Sequence, residues 1–240
     1  YPLWYELCVS LSDKLAAESG AVTFWPVGVN FGSYELIMGD GAFWNSFMIS
    51  VGRVVFGTIW TMVVIIMMAY PLSKRSREYK PRTILMWVLV FCMLFNGGTI
   101  PWFITMQKYG LIDNLAALIF AGSVPVFNVL LLMNFFRNLP ADIEEAALVD
   151  GAGPWRILWQ IVVPCSVPVI ATVVLFTSVN YWNEYFQGLV LMNSEDKYPL
   201  QTYIRQITVQ IPANVTLTTE QYQQLSLIHI SEPTRQEAIS

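Results

Sequence analysis

Two short stretches hold residues whose types and spacing could do chemistry. The first runs Glu145-Ala146-Ala147, three residues, Gly151, nine residues, Ile161, one residue, Val163-Pro164. It opens on an acid pair, Glu144 and Glu145, with Asp150 just before the glycine. The second gathers Asn180, Tyr181, Trp182, Asn183, Glu184 and Gln187 within one apolar run. Neither fits bond-breaking chemistry. Adjacent acids on a helix point about 100° apart and make a poor acid/base pair. No Walker-type phosphate loop is present, so this chain does not itself hydrolyse ATP. The only histidine is His229, and Cys8, Cys92 and Cys165 are spaced neither as a disulfide framework nor as metal ligands. The cysteines read as small buried apolar residues. No cofactor is expected. What remains is a capped, acidic loop segment, whose acids on local signals alone either improve solubility or meet a partner, and a cluster of amides, aromatic rings and a carboxylate in an apolar run.

Stepping along the elements that must position these groups, the chain reads as membrane-embedded. Of its 240 residues, 55% are hydrophobic and 12% charged, with a net charge of −4 and a mean hydropathy of +0.50. A soluble domain carries about 25% charged residues. An acidic balance also argues against nucleic acid as a partner, since phosphate binding needs clustered Lys and Arg. About 20 apolar residues cross a bilayer as a helix, because backbone polar groups in lipid must be satisfied internally. Four uncharged windows qualify: Val54 to Leu72, Thr83 to Gln107, Asn114 to Phe136 and Ser166 to Asn183. The expected spans are about 45–72, 83–107, 114–136 and 166–192, within a transmembrane domain over 45–213. Gly97, Gly98 and Pro101 should bend or end the second span. Residues 1–44, rich in aromatics and turn formers, read as an ordered external segment. The opening "YPLWYEL" reads like the exit of an apolar segment whose beginning is missing, so a first span is expected to be mostly missing. With no positively charged stretch before it, the opening does not read as a signal peptide.

Basic residues set the orientation. "SKRSREYKPR" holds Lys74, Arg75, Arg77, Lys80 and Arg82 against Glu78, whereas the next link has only Lys108 and Asp113. Positive charge concentrates on alternate loops, which places 73–82 and 137–165 in the cytoplasm. Arg53 is expected to snorkel to the outer interface. In the cytoplasmic loop, Asn138 can cap a helix, Pro140 suits its first turn, and Asp142, Glu144 and Glu145 match the helix dipole. Gly151 and Gly153 should end that helix. Pro154 should start a second one, which Pro164 stops.

The spacing from Glu145 to Pro164 closely resembles the EAA loop of bacterial ABC importer permeases, with Val163 where leucine is usual. "MLFNGGTIPWFITMQKYGLIDNLAALI", "YWNEYFQGLVLM" and "KYPLQTYI" look like the carbohydrate-uptake subfamily, the maltose-type second permease and its oligosaccharide relatives. The "FNGGTIP" stretch disfavours a non-sugar solute. The resemblance implies an all-α polytopic fold in the cytoplasmic membrane of a bacterium, with a last span that is expected after the fourth and is missing from this sequence. It also implies separate ABC ATPase subunits docking on the loop, a second permease subunit forming a heterodimer, and an extracytoplasmic sugar-binding protein. On it, Glu145 would pair with a basic group of the ATPase, Ala146 and Ala147 would seat the helix in a cleft, and Gly151 would allow the reversal. Ile157, Leu158 and Ile161 would tie the lever to the spans.

Sugars present apolar C–H patches beside hydroxyls, so aromatic faces with amides and carboxylates suit them. Two readings of the second cluster stay open. Asn180, Tyr181, Trp182, Asn183, Glu184 and Gln187 line a solute path, or Trp182 and Tyr185 form an interfacial belt with Glu184 at the water boundary. Asn128 and Asn134 are weaker path candidates, since each could simply bond a neighbouring helix. Finally, "LSLIHISEPTR", Leu225 to Arg235, resembles a translated sequencing adapter, and no function is expected for residues 225–240, His229 included.

Overall fold

The computed structural model of the chain describes residues 1–210 apart from 14, 15, 18, 76, 78 and 123, so the adapter-like tail and His229 lie outside the described residues. Among the described residues the fold is all helical. The chain divides into two compact units, Tyr1–Thr202 and Tyr203–Ser240; the described part of the second is helical.

Between helices α1 (Pro2–Ser10) and α2 (Gly32–Gly39), bonds tie the described residues of the connecting segment back to α1. Ser12 Oγ donates to the Cys8 carbonyl and accepts from the Val27 amide, and Trp4 Nε1 donates to the Phe24 carbonyl. Helix α3 (Gly41–Ser73) follows, capped by the Asp40 carboxylate accepting from the Ala42 amide at 2.9 Å. At 33 residues and a mean hydropathy of 2.0 over its most apolar window, it is the one unbroken helix among the described residues long and apolar enough to cross a membrane. Phe56, Ile59, Trp60 and Met67 stay exposed along it, as lipid-facing or partner-facing side chains must be.

The second window forms two helices, α4 (Arg82–Leu94) and α5 (Thr99–Lys108), bent by 115°. Gly98 sits at the break with φ +84°, a backbone that L side chains rarely adopt. The third window is also divided. Short α6 (Ala117–Phe120) precedes α7 (Val126–Arg137), because Gly122 and Pro125 intervene. Helix α8 (Ala141–Val149) starts at Pro140, with no side-chain cap. The Asn138 cap expected from sequence is not made, because Asn138 instead closes the end of α7.

Helix α9 (Pro154–Cys165) departs from expectation too. Pro164 does not stop it; the helix widens into a π turn over Leu158–Val162 and continues to Cys165. A proline ring crowds the carbonyl four residues back and lacks an N–H to bond it, and a wider turn relieves both problems. The stop comes at Ser166, where the chain bends by 83° into α10 (Val167–Asn183). Helix α10 ends at Glu184, so the expected run to Met192 is broken, with α11 (Phe186–Leu191) restarting after Tyr185. Helix α12 (Leu200–Gln210) closes the described chain.

Helix α3 packs against both α7 and α10. Two apolar cores result. The inner one joins Ile65, Ala69 and Leu72 of α3 to Leu132 and Phe136 of α7, Val173 of α10 and Ile157 and Leu158 of α9. The outer one gathers Ala117, Leu118, Ala121, Leu191 and Met192. Only Cys8 of the three cysteines is buried; Cys92 and Cys165 are exposed. The expected burial holds for Cys8 alone; Cys92 on α4 and Cys165 at the end of α9 occupy exposed positions.

Loops that the charge pattern puts on one side of the membrane meet one another. Lys74, ending α3, pairs with Glu144 of α8. On the opposite side Asp113 takes a bond from Lys197 Nζ at 2.7 Å, with the Ser194 hydroxyl at 2.8 Å. Asp113 holds φ +55°, the left-handed region, and its amide bonds the Leu191 carbonyl at 2.7 Å. The Lys197 ammonium, then the Ser194 hydroxyl and amide, hold its carboxyl well below the ordinary 3.8. A depressed carboxylate lends stability that is complete above its ordinary value and is lost as pH falls toward the lowered one. Asp113→Asn, which tolerates the same backbone, should therefore lower the thermal midpoint at pH 7. The gap from wild type should shrink as pH falls below 3.8. A gap that stays constant with pH would refute the charge pairing.

Candidate functional site

The first candidate site is built around α8. Its adjacent acids separate, as helix geometry requires. Glu144 turns toward α3 and pairs with Lys74, whose ammonium also lies 4.4 Å from the centroid of the Tyr70 ring. Glu145 is exposed. The alanines separate likewise: Ala146 is exposed, while Ala147 is 8% exposed and belongs to the chain's own inner core. Consecutive residues diverge by about 100°, so the two methyls cannot share one external cleft. Ala147 is thus taken up by the chain's own core, and of the two alanines expected to face a partner only Ala146 lies outward.

Gly151 ends α8 with φ +79°. Its amide bonds the Leu148 carbonyl at 3.0 Å and the Ala152 amide bonds the Ala147 carbonyl at 2.9 Å, the paired closure of a Schellman turn. Asp150 sits at the C-cap, exposed. The chain then reverses into α9, whose Ile157 and Leu158 are buried in the inner core, with Ile161 packed against it and Pro164 exposed. An apolar cavity of about 530 Å³ lies between α8, α9 and the inner end of α3, walled by Met67, Tyr70, Leu148, Trp155 and Leu158. Helix α8 is thus tethered from both ends, with Glu145, Ala146, Leu148 and Val149 bare.

The second site is a polar layer between the two apolar cores. Arg53 is its centre, and the expectation that it snorkels outward is wrong: it is 3% exposed. Nε donates to the Leu118 carbonyl at 3.0 Å, one terminal nitrogen to the Glu184 carbonyl at 2.6 Å, and the other to Gln187 Oε1 at 2.6 Å. Snorkelling fails because those carbonyls, freed by the end of α10 and by short α6, offer it partners inside. The guanidinium lies 5.7 Å from the centroid of the Tyr181 ring. The Tyr181 hydroxyl donates to the Ile119 carbonyl at 3.1 Å and lies 2.9 Å from Thr61 Oγ1. Asn128 donates to Thr177 Oγ1 at 3.3 Å.

Of the residues singled out from sequence, Asn128, Asn180, Tyr181, Glu184 and Gln187 line one cavity of about 150 Å³ with Arg53 and Thr61. Trp182 and Asn183 do not reach it. Trp182 meets Phe47 edge-on at 6.1 Å, and Asn183 donates to the Val179 carbonyl. Asn134 is exposed on α7. The Glu184 carboxylate is not at a water boundary alone; Oε1 accepts from the Phe186 and Gln187 amides at 2.7 and 3.1 Å and so caps α11.

A chain all helical over its described residues, with one unbroken apolar helix of 33 residues and two bent apolar pairs gathered round a polar layer that Asn180 leaves open to solvent, has the make-up of a membrane protein. The chain belongs to the family of binding-protein-dependent transport system inner membrane components, which it matches over residues 47–219. It is 39% identical over 184 residues to the polygalacturonan/rhamnogalacturonan transport system permease of Bacillus subtilis, covering 77% of this chain and 64% of that one. It is 34% identical over 208 residues to LplC of the same organism, covering 87% of this chain and 70% of that one. The chain therefore spans about two thirds of the length of these relatives. The crystal structure of a bacterial ABC transporter that imports the acidic polysaccharide alginate superposes with a TM-score of 0.82 at 33% identity, over 95% of this chain and 79% of that one. The fold is that of an ABC importer transmembrane domain.

Proposed function

We propose that the chain is a permease subunit of an ATP-driven importer for a saccharide or oligosaccharide. It pairs with a second permease subunit, receives its solute from an extracytoplasmic binding protein, and takes its drive from separate ABC ATPase subunits. One observation carries the coupling: α8 is tied to the inner core through its own Ala147, and the following α9 through Ile157 and Leu158, while Glu145 remains bare. A rigid helix held in that way transmits displacement, since packed interfaces switch between discrete arrangements rather than deforming continuously. Glu145 engages a basic group on the ATPase, and Gly151 supplies the turn that lets α8 and α9 move as one lever.

The solute reading rests on the relatives and on the cavity chemistry. The amides of Asn128, Asn180 and Gln187 and the hydroxyls of Thr61 and Tyr181 are neutral groups that both donate and accept, as hydroxyl-rich solutes require. The charges there, Arg53 and Glu184, are of opposite sign. The test is uptake by vesicles holding the complete transporter, its binding protein and ATP. Labelled oligosaccharides, neutral and acidic, are compared with an amino acid and with phosphate. Accumulation of a saccharide only is the expected result; accumulation of an amino acid or phosphate instead would replace the solute class.

A further inference from the structure

The least expected group in the chain is Arg53. Charged side chains inside a membrane domain are costly and are kept where they act. It sits on α3, the unbroken helix, but none of its hydrogen-bond acceptors does. They come from α6, from the end of α10, and from α11, at sequence separations of 65, 131 and 134. Two of the three lie on either side of the break at Glu184 and Tyr185. Glu184 serves this break twice, giving its carbonyl to Arg53 and its carboxylate to the first amides of α11. The guanidinium therefore fixes the angle of a broken helix against a straight one, and also fixes α6 beside it. Its planar fork spreads its donors over three nitrogens, one to each of three separate elements, whereas an ammonium gathers its three N–H groups on a single atom and cannot span them.

We propose that Arg53 is a positioning residue for transport, a latch that holds the α10–α11 break and α6 to α3 and that must release and re-form as the path opens and closes. The proposal rests on the transport reading above. Because the three bonds share one side chain, they break together, giving two discrete states rather than a gradual opening. The cavity lies at the latch, so passage of solute and release of the latch involve the same walls.

The experiment uses the complete transporter in vesicles, with turnover expressed per assembled complex and the half-saturating solute concentration measured beside it. Arg53→Met and Arg53→Lys should each lower turnover about tenfold, a loss of about 1.4 kcal/mol in the limiting barrier, while half-saturation changes less than about twofold. Gln187→Leu, which removes one acceptor and keeps the charge, should fall between these and wild type. Lysine's failure to restore turnover separates a three-way fork from simple charge. If Arg53→Lys or Arg53→Met turns over at the wild-type rate per complex, the latch is refuted. If both arginine variants fail to assemble and Gln187→Leu assembles with unchanged turnover, the group is a folding element and the latch is again refuted. If wild-type vesicles take up no solute, it is the transport reading that fails.

Discussion

Glu145→Lys is expected to strip the ATPase from the assembled transporter, whereas Glu144→Gln leaves it bound. The two acids are neighbours in the chain but not in environment. Glu144 spends its charge on Lys74 of the same molecule, with both side chains about a quarter exposed. A partly exposed pair of this kind contributes at most about 1 kcal/mol, and less once solvent screening is counted. Its loss should loosen α8 slightly without removing any external contact. Glu145 is exposed and forward-facing. Reversing its sign against a basic partner sets like charges together, which costs several kcal/mol at an interface, or about a hundredfold or more in affinity. The check is the ATPase retained per permease after purification, with ATP hydrolysis measured with and without loaded binding protein. Equal retention in both variants would refute the division of labour between the acids. Gly151→Pro bears on the same lever, since its φ of +79° is closed to proline.

How far the sequence led is best seen residue by residue. The windows were visible because lipid leaves a blunt compositional signal, and the break at Gly98 was visible because glycine announces it. The helix, glycine turn and second helix of the 141–165 segment were legible through spacing. What stayed hidden was any feature set by long-range contact. The direction of Ala147 depends on which side of α8 meets the core, and the continuation through Pro164 depends on a π turn that no local rule requires. Arg53 was misplaced because its position near the outer end of a helix invites snorkelling, while its acceptors lie 65 or more residues away. A signal did exist. Ser46, Ser50, Arg53, Gly57 and Thr61 recur at spacings of three and four and are all buried. A stripe of small and polar residues on one face of an apolar helix marks an interhelical seam, and a charge within that stripe belongs to the seam.

That seam supplies the last large effect. Gly57→Ala should destabilise the helix packing by about 1–3 kcal/mol, the usual cost of overpacking a tight site. A Cβ there would lie 2.7 Å from Tyr181 Cζ and 2.8 and 3.0 Å from the adjoining ring carbons. The ring cannot yield cheaply. Its hydroxyl is tied to Thr61 and to the Ile119 carbonyl, and its face lies beside Arg53. Gly52 on the same helix is the control, because a Cβ there meets nothing within 4 Å. Gly52→Ala should be neutral or mildly stabilising, by up to about 1 kcal/mol from helix propensity. Thermal unfolding of the purified complex distinguishes the two. Tyr181→Ala then tests the cause: with the ring removed, Gly57→Ala should add almost nothing further, a non-additivity expected only of residues in direct contact. Additive losses would mean that the glycine is needed for some other neighbour, and that Tyr181 is not what holds α10 against α3.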